Sequence, residues 1–131
     1  MKYICLAYVG EAAWGTMTES QMNDAMDELF AYTDELRKNG HLVATEGLQS
    51  AQNAKTLRIV NGKASVTDGP YVETKEKIGG IYVIEARDLN HAIQLISKHP
   101  VVRAGGVEIR AVADMSAMHE ASKERRAATK S

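Results

Sequence analysis

Tyr3-Ile-Cys-Leu-Ala-Tyr-Val9 is a run of seven residues with an apolar body at every position. Side chains of a strand alternate between its two faces, so such a run reads as a short strand with something dry on both sides. Gly10 to Gly15 interrupts it and contains Trp14. A helix then announces itself over about residues 18–39. Thr18 can cap it, Gln21 completes a capping box, and Met17 and Met22 occupy the two staple positions. Met22, Met26, Leu29, Phe30, Thr33 and Leu36 recur at helical spacing on one face, and Asn39-Gly40 is a natural stop.

Working outward, residues 41–48 form a second strand. Thr56-Leu-Arg-Ile-Val60, Asn61-Gly62 and Lys63-Ala-Ser-Val-Thr67 read as a hairpin, because a two-residue Asn-Gly turn supplies the two positive φ angles that such a turn needs. Residues 79–87 are a further strand, and Asp88 caps a helix whose stripe is Leu89, Ala92, Ile93 and Ile96, closed by His99-Pro100. Residues 107–113 are the last strand. The order β-α-β, hairpin, β-α-β is that of two split βαβ units on one sheet, a ferredoxin-like α+β sandwich with an inserted hairpin. This domain is expected to span residues 1–113. Residues 114–131, rich in Ala, Lys, Arg and Glu, are expected to be a helical or disordered tail.

Length and charge narrow the function classes. A chain of 131 residues fits one domain. A net charge of −1 argues against a general nucleic-acid or anionic-membrane binder, either of which needs a concentrated basic face. One cysteine, Cys5, rules out an intrachain disulfide framework, and neither a membrane-length apolar run nor a signal-peptide pattern opens the chain, so a cytoplasmic location is expected.

The densest charge follows the hairpin. In Asp68-Gly-Pro-Tyr-Val-Glu-Thr-Lys-Glu76 the Gly-Pro pair forces a turn, Asp68 can hold it through local backbone N–H groups, and Glu73, Lys75 and Glu76 crowd beside an apolar strand that begins Gly79-Gly80. Two carboxylates so placed can divide into an acid and a base if burial raises one of them. Arg58 and Arg110 lie on strands, where a long cation seeks a carboxylate or an anionic ligand. Glu46, between Thr45 and Gly47, could pair with one of them, and Glu108 shares a strand face with Arg110. His41 is the best placed of the four histidines to shuttle a proton. No two histidines have ligand spacing, so neither metal nor cofactor is expected. Cys5 reads as an inert buried thiol, and Gly79-Gly80 as a site of close backbone packing.

The stretch Thr67 to Glu76, followed by Ile78-Gly-Gly-Ile-Tyr82, resembles the D-G-P-F-x-E-T-K-E signature of the DGPF family within the YCII-related group. Met1-Lys-Tyr, Gly47-Leu48, Thr56-Leu-Arg58 and Val107-Glu-Ile-Arg110 resemble its other segments, over roughly residues 1–113. Tyr71 stands where Phe is usual, keeping the ring, and Ala111 replaces a closing Pro. The resemblance implies a dimeric α+β barrel, two ferredoxin-like units with sheets facing each other. It also implies clefts between sheet and helices or loops, and a family context of extracytoplasmic-function sigma factors. The His–Asp pair described for the group has no counterpart here, because the first helix has no histidine.

Together these readings lead to a cofactor-free protein that binds a small organic anion, with isomerase- or lyase-like acid/base chemistry. Asp68 with Glu73 or Glu76 would move the proton. Arg58, Lys75 or Arg110 would hold the anion, with Glu46, His41 and Tyr71 beside it. The alternative is a non-catalytic ligand sensor or accessory protein associated with a sigma factor. A two-layer sandwich leaves one sheet face bare, and the apolar residues on both faces of 3–9 call for a second copy to cover it. Sedimentation at micromolar concentration should therefore give twice the chain mass; a monomer mass would contradict the sheet-face homodimer.

Overall fold

The computed structural model describes residues 1–10, 15–71 and 76–129. In chain order they form β1 (Lys2–Gly10), α1 (Glu19–Lys38), β2 (Leu42–Gly47), a 3-10 turn (Ala51–Asn53), β3 (Lys55–Val60), β4 (Lys63–Asp68), β5 (Glu76–Glu85), α2 (Leu89–Ser97), α3 (Val101–Ala104), β6 (Val107–Ala111) and α4 (Ser116–Thr129). The four-stranded sheet runs β2-β5-β1-β6, antiparallel throughout, with β3 and β4 as a separate hairpin. Each βαβ unit is split by a strand of the other, so the α+β ferredoxin-like architecture stands as expected.

Local signals account for most boundaries. Thr18 accepts from the Gln21 N–H at 3.1 Å while the Gln21 side chain accepts from the Thr18 N–H at 3.0 Å, closing the capping box. Asp88 accepts from the His91 N–H at 2.8 Å and starts α2. Asn61 and Gly62 hold φ angles of 52° and 78°, and strand pairing closes directly onto them at Val60 and Lys63. β5 begins earlier than its apolar pattern suggests. Gly10, Val9 and Tyr8 of the long β1 pair with Glu76, Lys77 and Ile78, and ladder hydrogen bonds extend the strand through charged residues that alternation alone left in the loop.

The core lies between one sheet face and the helices. Tyr3, Cys5 and Ala7 of β1 and Tyr82 and Ile84 of β5 are buried with Leu36, Leu42, Ala92, Ile96 and Val101. Full burial contributes roughly 1.5–3 kcal/mol for each large apolar side chain. The opposite face is apolar, and the described residues leave it partly exposed. Register places Ile4 and Leu6 of β1 beside Val83 and Ile81 of β5 there, and Ile4 and Ile78 are exposed. The hairpin is barer still: Leu57 and Ile59 are 66% and 72% exposed, opposite Val66 and Ala64.

Glycines mark the tightest contacts. A Cβ on Gly79 would come within 2.9 Å of Val9 Cγ2, and one on Gly80 within 3.3 Å of the Glu46 carbonyl, so this pair does serve close packing. Gly105 is the extreme. Its backbone is extended, yet a Cβ there would lie 1.8 Å from the Tyr8 carbonyl oxygen, beside the Tyr8 N–H bond to Gly106 O at 2.8 Å. Gly105→Ala should cost on the order of 3 kcal/mol or more, since backbone cannot swing aside as a side chain can. Gly106→Ala, with nothing within 4 Å, should cost about 1 kcal/mol or less. Urea unfolding of both variants checks the contrast.

Candidate functional site

Between α1 and the β2–β5 end of the sheet lies an open cleft of about 700 Å³. It exists because the sheet presents almost no side chain there: Ala7, Gly47, Gly79 and Gly80 line its base. Met26, Leu29 and Phe30 of α1 and Val9 supply an apolar wall. Charge of both signs lines the same space, with Asp34 and Arg37 on α1, Glu46 on β2 and Lys77 on β5. Asp34 and Arg37 pair across one helical turn at 3.5 Å, and both are largely exposed, so the pair is held weakly and the guanidinium can turn to another anion.

The polar groups behind this cleft are tightly assigned. His99 is 1% exposed. The Val101 N–H donates to its Nδ1 at 3.0 Å, which leaves the ring proton on Nε2. That Nε2–H faces Thr33 Oγ1 at 2.9 Å, and the Thr33 hydroxyl in turn donates to the Leu29 carbonyl at 2.9 Å. The chain of bonds ties α1 to the turn between α2 and α3. Burial pushes the His99 pKa down to about 4, so the ring is neutral at physiological pH. The rings of Tyr32 and Tyr82 stand edge-on to it at 5.5 Å and 4.8 Å. Tyr82 also lines the cleft, only 7% exposed, and burial raises its phenol pKa, with the nearby Cys5 a smaller cause in the same direction.

A second cleft of about 650 Å³ opens on the other side of the Leu48–Ala51 segment. Tyr8, Leu48, Ala54, Pro70, Tyr71 and Ile78 give it an apolar lining, and Glu76 and Lys77 border it. Leu48 to Ala51, with Lys77 and Ile78, belong to both clefts.

The residues singled out from the sequence are dispersed. Glu46 lines the first cleft; Tyr71 and Glu76 line the second. Arg58 lies 4.4 Å over the Tyr71 ring, a cation–π contact beside that cleft. Asp68 is 86% exposed and ion-paired with Lys55 across the hairpin, in neither lining. Arg110 pairs with Glu108 on the same strand face. His41 sits at the far end of β2, with Nδ1 3.2 Å from the Glu85 carbonyl and its ring edge-on to His91. Glu73 and Lys75 lie outside the described residues. Among the described residues no His, Cys, Asp and Glu side chains cluster to hold a metal, and no helix is long and apolar enough to cross a membrane. Sequence reasoning passed over Arg37, Lys77, Tyr82 and His99. Alternation along β5 would have turned Tyr82 inward beside Ile84, but nothing local shows that its surroundings include a cleft.

Comparison with known proteins agrees with this architecture. The model of the YCII-related domain matches residues 1–116. An uncharacterised protein of Rhizobium meliloti (strain 1021) is 30% identical over 117 residues, spanning 86% of this chain and 93% of that protein. Among solved structures, a 5-chloro-2-hydroxyhydroquinone dehydrochlorinase from Burkholderia phenoliruptrix AC1100, in complex with 2,5-dihydroxybenzoquinone, superposes with a TM-score of 0.53 at 11% identity, covering 86% of this chain and 94% of that one.

His99 makes the cleft wall sensitive to acid. The unfolded ring takes up a proton near its ordinary pKa of 6.5, whereas the folded ring resists until about 4. The unfolded state therefore binds more protons across that window, and stability falls as pH drops from 6.5 to 4 by about 3 kcal/mol, levelling below it. Denaturant unfolding at stepped pH should show this slope, and His99→Gln should flatten it.

Proposed function

The chain belongs to the YCII-related family, and from that premise we propose that it binds a compact organic anion in the cleft under α1 and moves a proton on it without metal or nucleotide. The observation that carries this reading is the pairing of an apolar cleft of about 700 Å³ with cations and carboxylates in its lining. Arg37 or Lys77 holds the anionic group, and Glu46 or Asp34 exchanges the proton. The fold neighbour, a dehydrochlorinase in complex with 2,5-dihydroxybenzoquinone, supports a small oxygenated ring as the ligand class and elimination as a reaction type, by analogy of fold. Glu76 with Tyr71 and Arg58 provides a second set of groups at the neighbouring cleft, and Glu73 and Lys75 remain candidates from the same loop. The ion pair to Lys55 favours a turn-holding role for Asp68.

Within the family we assign the chain to the DGPF branch on the stretch Asp68-Gly-Pro-Tyr-Val-Glu-Thr-Lys-Glu76. The partly exposed apolar sheet face, with Ile4 and Ile78 exposed, favours a second copy as its cover, which completes a dimeric α+β barrel. The exposed helix α4, bearing Met118 just beyond Met115, favours a second reading in which the protein is an accessory to a sigma factor and engages it through this helix.

A thermal-shift panel of small organic acids that includes 2,5-dihydroxybenzoquinone tests the lead reading. A ligand at about a hundred times its Kd stabilises the native state by about 2.7 kcal/mol, a shift of several degrees. Met26→Trp, which fills the cleft, should abolish that shift, and Arg37→Ala and Lys77→Ala should reduce it. A panel without a binder, or a shift that persists in Met26→Trp, overturns the reading.

A further inference from the structure

Among the described residues, the floor of the α1 cleft holds a hydroxyl with no hydrogen bond to the protein. Tyr82 lies on the helix-facing side of β5, in register with Cys5 and Thr45, and lines the cleft with 7% of its surface exposed. Among the described residues its hydroxyl has no hydrogen-bond partner, although the ring is packed edge-on against His99 at 4.8 Å. The neighbours explain why. Both His99 nitrogens are engaged, by the Val101 N–H and by Thr33. The Thr33 proton goes to the Leu29 carbonyl, and the Thr45 hydroxyl donates to the Ile81 carbonyl at 2.9 Å. The neighbouring imidazole and both threonine hydroxyls are therefore satisfied within the protein. The Tyr82 hydroxyl oxygen itself keeps a solvent-accessible surface in the open cleft, so water can meet it there. A ligand that displaces that water without offering an acceptor leaves the hydroxyl unpaired, at a cost on the order of 1–3 kcal/mol, and a ligand with an acceptor at that point is favoured. Burial also raises the phenol pKa, which keeps the proton on Tyr82 and makes the group a donor.

We propose that the Tyr82 hydroxyl is the donor that fixes the ligand in this cleft, and that the ligand carries a carbonyl, phenol or enolate oxygen at the end away from its anionic group. The inference rests on the cleft reading above and sharpens it: Arg37 or Lys77 takes the anion, and Tyr82 takes the second oxygen. Sites built to hydrogen-bond a ligand oxygen reject the analogue that lacks it far more strongly than apolar pockets reject a missing methylene.

Calorimetric titration of the full chain with benzoate and 4-hydroxybenzoate separates the possibilities, using wild type and Tyr82→Phe, whose thermal melts check that the ring still packs. Tighter binding of 4-hydroxybenzoate than of benzoate to wild type by about tenfold, falling to about twofold or less in Tyr82→Phe, is the expected result. If both compounds bind and the preference is absent, or survives in Tyr82→Phe, the role of Tyr82 is overturned while the cleft reading stands. If neither compound binds wild type and the wider panel also yields no binder, the cleft reading falls and this inference with it. If the panel yields an oxygen-bearing binder whose affinity Tyr82→Phe leaves unchanged, only the inference falls.

Discussion

The pairing of β1 between β5 and β6 is the constraint on which everything else rests. A central strand is committed on both edges to backbone hydrogen bonds and on both faces to its side chains, so its register dictates theirs. Cys5 opposite Tyr82 and Ile109 turns one residue of each strand toward the helices, and Leu6 opposite Ile81 and Glu108 turns the next set away. A one-residue slip would exchange these faces, placing Ile4 and Leu6 under α1 and α2 and exposing Cys5, which is fully buried. The bulge between Ala7 and Tyr8, opposite Gly79 and Gly80, is where the register shifts, and there the sheet loses its side-chain cover and the first cleft begins.

That cleft is the product of missing side chains on the sheet and saturated polar groups on the helices. Glycines and an alanine leave the space, while the His99–Thr33–Leu29 chain of bonds holds α1 at a fixed distance above it. Because the buried histidine is neutral and both its nitrogens are used, it acts as a strut and is poorly suited to exchange protons with a ligand. The groups left to meet a ligand are the ones the scaffold does not consume: the Tyr82 hydroxyl at the floor and the exposed charges around it. A wall whose buried polar groups satisfy one another, with the Tyr82 hydroxyl left over beside them, is an arrangement suited to discrimination by hydrogen bonding.

The fold was legible because its signals are local. A capping box needs only Thr18 and Gln21, an Asn-Gly turn needs only two residues, and a strand covered on both faces shows in seven consecutive side chains. The site was not legible, for the converse reason. Its parts come from α1, β2 and β5, and each looks ordinary where it stands: Arg37 ends a helix, Lys77 follows a glutamate, and Tyr82 is one aromatic in an apolar strand. The charge cluster after the hairpin drew the eye instead. Asp68, at its head, faces Lys55 across the hairpin, a surface pair of small energetic worth.

By itself the sequence determined the order of elements, their caps and turns, the alternation that gives the sheet an inner and an outer apolar face, and the stretch from Asp68 to Glu76 that resembles a known signature. Each of these depends on residues within a turn or a strand length of one another. Only the tertiary structure decided which polar groups satisfy one another and which do not. Hydrogen bonds between Thr33 and His99 and between Thr45 and Ile81 join residues far apart in the chain, and the open donor at Tyr82 appears only after those pairings are made.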